Sequence, residues 1–265
     1  MAAADPVANR SLERLIKVVE DLDERRKGAQ TVVARLNVVL HDFIRNRDVT
    51  LSGAYLGDSK GNVRLRLKHG ETVLVDLAFR ESEVELWLPR RNRFFRGTRR
   101  EVILHGNNDL MLLAVAGNAH DLFFPRAWTH RAVERRLRKI KGREVVTVLE
   151  GEGPACRRVR CLALSPAQPV FEQQDLLGIA GRLIGSVQYD DYRFPGPRAG
   201  AEGGLPYPGR VVLTSRTEHY SLEMLVDEMH INTPIPAARF SVQKPEGQKV
   251  LPLAASLSST KSLWE

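Results

Sequence analysis

The sequence predicts an α+β protein, a single domain in which helices gather on one side of a strongly curved antiparallel sheet. Three observations carry that expectation. Short apolar runs of period two recur along the chain, separated by turns containing Gly and Asn. Helical stretches interrupt them, one amphipathic and one apolar almost all round. No linker divides the 265 residues into halves, so residues 11–253 read as one domain between a flexible segment, 1–10, and a flexible tail, 254–265.

The first element is a helix over 11–27. Leu12, Leu15, Ile16, Val19 and Leu22 recur at spacings of three and four, which makes one apolar stripe. Ser11 is its N-cap, Glu13, Glu20, Asp21, Asp23 and Glu24 face outward, and Gly28 ends it. The period then changes. Thr31–Arg45, Asp48–Leu56, Asn62–Lys68, Thr72–Phe79 and Glu83–Leu88 read as strands. In Asn62–Lys68 the alternation is strict, with Val63, Leu65 and Leu67 on one face and Arg64, Arg66 and Lys68 on the other. Turns are predicted at His69–Gly70 and at the polar break Arg80–Ser82.

The series breaks at His105–Ala119, where Leu110 to Ala116 are apolar almost all round. A helix is predicted over 107–117, capped by Asn108, and a helix without a polar face must be buried or must cover something apolar. A second, basic helix is predicted over 128–141, where Val133, Leu137 and Ile140 stand at helical spacing. Strands resume at Glu144–Leu149, Arg157–Leu164, Val170–Leu176, Arg182–Arg193, Arg210–Ser215 and Tyr220–Asn232. Pro195–Gly209, rich in Pro and Gly, is an exposed loop between two of them.

Composition excludes several classes. With 43% hydrophobic and 27% charged residues the chain is ordinary for a globular protein, but its net charge of +8 is not. Such a charge attracts anionic partners: phospholipid headgroups, lipopolysaccharide or nucleic acid. No window reaches the roughly 18 apolar residues that span a bilayer. Met1–Arg10 is not a signal peptide, lacking a charged start before an apolar run, which leaves a cytoplasmic protein or an exported one whose targeting segment was removed; the small, featureless residues read as a start added at a trimmed boundary and favour the second. Cys156 and Cys161 are five apart, too wide for a redox pair, and no second pair completes a zinc site.

Catalytic patterns are missing. The seven histidines never stand at His-x-x-x-His spacing with a carboxylate. Asp190 and Asp191 are neighbours on a strand and point to opposite faces, whereas general acid–base work needs convergent groups. There is no Gly-x-Ser-x-Gly, phosphate-binding loop or dinucleotide fingerprint. Two basic clusters remain. Pro89–Arg100 interleaves Phe94 and Phe95 with Arg90, Arg91, Arg93, Arg96, Arg99 and Arg100; the other runs from Arg126 to Arg143. Basic residues with aromatics suit either nucleic acid or an anionic membrane. They also suit an ordinary solvated hairpin. Nucleic acid is the weaker expectation, because the cations lie in separate elements without a binding module.

Several stretches resemble the Lol-type lipoprotein carriers and receptors, the LolA/LolB-like family. SGAYLGDSKGNVRLRL (Ser52–Leu67) resembles its first strand pair, and ELWLPRRNRFFRG (Glu85–Gly97) its aromatic hairpin. HGNNDLMLLAVAG (His105–Gly117) resembles the lid helix. PIPAARFSVQKPEGQKVL (Pro234–Leu251) is similar to the terminal signature, and GRLIGSVQYDDYR (Gly181–Arg193) to strands of related lipoproteins. The similarity covers most of Leu12–Leu253, and the order of the motifs carries it.

The resemblance implies a half-open antiparallel β-barrel with helices over a concave apolar face. It also implies binding of lipid or of an acylated lipoprotein, with no cofactor and no catalysis. Leu65, Leu67, Leu86, Trp87, Leu110, Met111, Leu112 and Val115 are then the candidate cavity residues. Arg90, Arg91, Arg93, Phe94, Phe95 and Arg96 are the candidate membrane or headgroup contacts. The implied location is periplasmic or anchored at the outer membrane. One departure concerns the lid: the family holds it closed by an Arg after the first strands, and here that stretch is Gly57–Asp58–Ser59–Lys60. Lys60 lacks the planar fork of donors that Arg presents, which counts against a lid that opens and closes as in the carriers. The alternative expectation is an envelope-anchored interaction module with a filled barrel.

Overall fold

The computed structural model describes residues 26–101, 132–140, 143–150, 157–165, 168–177, 183–193, 205–215 and 220–257, with helical positions 13, 14, 17, 20, 21, 24 and 123. Fourteen strands follow one another in these stretches. They are β1 (Thr31–Asp42), β2 (Arg47–Asp58), β3 (Val63–His69), β4 (Thr72–Arg80), β5 (Glu83–Leu88), β6 (Arg93–Thr98) and β7 (Ala132–Ile140). Then come β8 (Arg143–Glu150), β9 (Arg157–Ser165), β10 (Gln168–Leu177), β11 (Leu183–Arg193), β12 (Tyr207–Ser215), β13 (Tyr220–Ile231) and β14 (Val250–Pro252).

The chain divides into two compact units. One comprises residues 1–28 and 124–211, the other 29–123 and 212–265. Because the chain passes between them three times, no linker marks the division in the sequence.

In the second of these units the ladder runs β14-β6-β5-β4-β3-β2-β1-β13. Every pairing is antiparallel except that of β14, which runs parallel to β6 through Val250–Phe94, Leu251–Phe95 and Pro252–Arg96. The hairpins form where the sequence places turn chemistry. Gly70 takes φ +56° between β3 and β4, and Glu81 φ +50° between β4 and β5. The long β1–β2 pair closes at Asp42–Arg47, three residues short of the strand end at Arg45 that the sequence suggests. There the Asp42 carboxylate accepts the amides of Ile44 and Arg45 at 3.1 and 3.0 Å, so the backbone turns instead of extending. Bulges lie between Arg35 and Leu36 and between Leu67 and Lys68; each bends its strand locally.

The other unit is an antiparallel ladder in the order β11-β10-β9-β8-β7. Its last strand is a correction. Residues 128–141 carry the spacing of a basic helix, yet Ala132–Ile140 is β7, paired with β8 through Leu137–Val146 and Arg135–Val148. Val133 and Leu137, four apart, also fit a strand's period, only Ile140 at spacing three favours the helix, and pairing with the valine-rich β8 outweighs that local periodicity.

Two further boundaries shift. Tyr207–Gly209 opens β12 although its Pro and Gly suggest loop, and Ala254–Leu257 forms a helical turn where a tail is expected. The N-terminal helix agrees in its polar half: positions 13, 17, 20, 21 and 24 are helical and exposed, while its apolar stripe lies outside the described residues. So do residues 1–10, the predicted lid helix over 107–117 and most of the loop at 195–204.

Candidate functional site

Cross-strand register assembles one apolar face in the second unit. Phe95, Leu86, Leu77, Leu65, Tyr55 and Ala34 stand directly opposite one another across six strands. Beside this row runs another, Gly97–Val84–Phe79–Val63–Gly57–Val32, and a third, Val75–Leu67–Gly53–Leu36–Val226. Residues opposite on neighbouring strands share a face, so these rows form a continuous apolar wall. Its members other than the half-buried Gly97 are buried, Leu65 at 1% exposure and Leu67 and Leu86 at 0%. Phe123 meets Tyr55 edge-on, with ring centroids 4.9 Å apart. The glycines make room at the centre: a Cβ at Gly57 would stand 2.7 Å from the Tyr55 hydroxyl, and one at Gly53 2.8 Å from Leu67 Cδ2.

Trp87 is not part of that wall. It follows Leu86 on β5 and therefore points to the opposite face, where it packs against Ala78, Phe94 and Val242. Its ring lies 6.5 Å from that of Phe94. Val84, Leu86 and Leu88 take the wall phase of β5 and Trp87 shares the other phase with Glu85, and both faces of β4 and β5 are covered here. The second cover is the C-terminal segment, which buries Phe240 and Val242 against it.

Phe94 and Phe95 are likewise buried, at 0% and 3% exposure, and so are not surface contacts. The cations around them divide differently. Arg90, Arg93 and Arg96 are exposed and Arg91 half-buried, with Arg96 paired to Glu85 at 2.8 Å. Leu110, Met111, Leu112 and Val115 lie outside the described residues.

Beneath the C-terminal segment sits a polar network that the motif reading overlooks. Arg64 binds Asp76 with Nε donating to Oδ1 at 2.9 Å and Nη2 to Oδ2 at 2.8 Å. That contact, ahead of the opposing effect of burial, holds the Arg64 guanidinium above its ordinary pKa. Arg64 Nη1 also donates to the Arg239 carbonyl at 3.2 Å. Glu85, 3% exposed, accepts the Val242 amide at 3.1 Å and the Arg96 guanidinium at 2.8 Å. A signal for it exists: Asp76 and Glu85 are carboxylates inside otherwise apolar strands, in phase with Arg64 and Arg66.

A cation does lie at one end of the apolar face, but it is not Lys60, which is exposed. Arg99 places its guanidinium carbon 5.6 Å from the centre of the Phe79 ring and donates from Nη2 to the Gly61 carbonyl at 2.8 Å. It therefore reaches the same β2–β3 turn from the far side of the ladder. Burial lowers its pKa, and its Nε has no hydrogen-bond partner.

His41 meets two carboxylates, with Nδ1 2.8 Å from Asp48 and Nε2 3.5 Å from Glu223. Both ring nitrogens are occupied by acids, an arrangement without the nucleophile–base contact that covalent catalysis requires. Among the described residues no group of three or more His, Cys, Asp or Glu could hold a metal ion, and no helix is long and apolar enough to cross a membrane.

No protein-family model matches the chain, and no curated protein matches it. Solved structures do. A protein domain from Vibrio parahaemolyticus assigned to outer membrane lipoprotein sorting shares 11% identity over 86% of this chain and 97% of its own, at a TM-score of 0.58. A LolA superfamily protein from Nitrosomonas europaea shares 12% over 86% and 97%, at 0.56. A DUF1329 family protein from Desulfovibrio piger shares 7% over 87% and 97%, at 0.57. At these identities the likeness concerns architecture: the chain has a LolA-like fold.

Proposed function

We propose that this protein binds lipid, or the acyl anchor of a lipoprotein, against the apolar face of β1–β6, without catalysing a reaction, in lipid or lipoprotein trafficking at the bacterial cell envelope. The observation that carries this reading is the continuous wall Phe95–Leu86–Leu77–Leu65–Tyr55 on a fold shared with a domain assigned to lipoprotein sorting. Acyl chains suit such a wall, since burying each methylene is worth roughly 0.8 kcal/mol. Leu65, Leu67 and Leu86 form its centre, and Leu110, Met111, Leu112 and Val115, which lie outside the described residues, are proposed as further lipid contacts. Periplasmic or outer-membrane-anchored placement follows from the same reading.

Native mass spectrometry of the purified protein tests it. A lipid mass retained on the folded protein, and lost on Leu65→Asp with the fold kept, is the expected result. Protein that is lipid-free in every preparation, and takes up no lipid from vesicles, would overturn it.

A second reading has its own observation. Leu65, Leu67 and Leu86 are already at 1% exposure or less, which suits a barrel filled by side chains and serving as an envelope-anchored interaction module. The same experiment separates the two, because a filled barrel takes up no acyl chain.

A further inference from the structure

The tip of the β1–β2 hairpin departs from the rest of the molecule. Among the described residues four large apolar side chains stand exposed, and Phe43 (59%) and Ile44 (75%) are the two that are adjacent. They occupy the turn itself. The turn is organised: the Asp42 carboxylate accepts the amides of Ile44 and Arg45 and the Arg45 guanidinium at 3.1 Å, and Asn46 takes the left-handed conformation at φ +47°. Arg45 and Arg47 follow the pair in the chain, with side chains 43% and 51% exposed. A turn of this shape needs no apolar residue for its own stability, since the ordering is done by Asp42 and Asn46.

We infer that this hairpin tip is a membrane-docking wedge, with Phe43 and Ile44 entering the interface of a lipid bilayer and Arg45 and Arg47 at headgroup depth. A protein partner is the poorer fit. Stable protein interfaces bury about 1,200–2,000 Å², and two exposed side chains on one turn fall far short of that, whereas a bilayer needs no complementary surface. Long cationic side chains beside an apolar pair keep their charge in the headgroup region while their stems follow the apolar residues inward. The tip is electrically balanced, Arg45 and Arg47 against Asp42 and Asp48, so apolar burial drives insertion and the chain's net charge of +8 adds attraction to anionic lipid. This assignment moves membrane contact away from the buried Phe94 and Phe95. It is independent of whether the apolar wall holds a ligand.

The test is co-sedimentation of the full chain with phosphatidylcholine vesicles and with vesicles that also contain phosphatidylglycerol. Binding to both, tighter to the anionic ones, is expected. The Phe43→Ser/Ile44→Ser variant should keep its melting temperature, because both side chains are exposed, and should bind at least about tenfold more weakly. In a Phe43→Trp variant the added indole should shift to the blue on mixing with vesicles and be quenched by brominated lipid. Equal binding by the double serine variant, no binding of the parent chain to either vesicle, or a parent dimer that the double serine variant abolishes would each overturn the inference.

Discussion

Arg64 on β3 reaches diagonally to Asp76 on β4 through two parallel hydrogen bonds, on the side of the sheet away from the apolar wall. Asp76 is 5% and Arg64 17% exposed in their side chains, so the pair has little water to fall back on. Removing one partner of a buried pair leaves an uncompensated charge, at a cost of about 3–5 kcal/mol. Asp76→Ala should lose stability in that range by urea denaturation. Arg64→Lys should lose less but measurably, because it keeps the charge and gives up the fork. A loss for Asp76→Ala of the size typical of a surface ion pair would contradict the burial argument.

Glu85 predicts a smaller and more local effect. Its partners Arg80 and Arg96 are 38% and 48% exposed and regain water when the carboxylate goes. What remains unmet in Glu85→Ala is the buried Val242 amide, at about 1–3 kcal/mol. Hydrogen exchange should therefore accelerate across 240–253 while β1 and β2 keep their protection. Uniform acceleration through the whole unit would show that the C-terminal segment is not separately held.

Gly97 marks where that segment ends. A Cβ there would stand 2.5 Å from Leu253 Cβ and would also collide with the Glu101 carboxylate, and the Leu253 amide donates to the Arg96 carbonyl at 2.9 Å. Leu253 Cβ lies next to its backbone and cannot swing away. Gly97→Ala should thus cost about 1–3 kcal/mol and loosen the pairing of β14 with β6. Gly53→Ala should cost less, since its contact is Leu67 Cδ2, the far end of a side chain that can change rotamer. Denaturation midpoints of the two variants check the order.

The Asp42 turn carries a pH dependence. Burial alone would raise the Asp42 pKa, but hydrogen bonds from the Arg45 backbone and side chain, the Arg45 charge and the Ile44 amide together hold it below the ordinary value of 3.8. A carboxylate depressed in the folded state contributes stability that is present above its unfolded pKa and is lost as pH falls through the folded one. The tip should stay ordered down to about the usual carboxylate range and fray below it, seen as faster amide exchange at Ile44 and Arg45. Asp42→Asn should remove that acid transition.

How much of this was readable beforehand depends on what each residue's neighbours in sequence disclose. Val63, Leu65 and Leu67 alternate with Arg64 and Arg66, so the phase of β3 and the inward direction of the leucines were legible from seven residues. In β5 Val84, Leu86 and Leu88 take one phase and Trp87 falls with Glu83 and Glu85 on the other, and what covers that other face was not legible. The C-terminal segment that covers its face lies about 150 residues further on, and only folding brings Phe240 and Val242 there. Arg99 shows the same limit. Within Pro89–Arg100 it is one cation among several, and nothing local distinguishes the one that lands over Phe79 beside Gly61.

The sequence by itself determined the class of this protein: period-two runs and turn residues specify antiparallel strands wherever one face is wet, because alternation records which side meets water. The tertiary structure alone decided three other matters. It made Ala132–Ile140 a strand, since Val133 and Leu137, four apart, fit either period until β8 pairs with the segment. It buried Phe94 and Phe95 on opposite faces, since both sides of β6 are covered. It left Phe43 and Ile44 in the open, where a run that reads as strand instead turns on Asp42. In each case the deciding contact is long-range or lies at a strand end, where local periodicity carries no information.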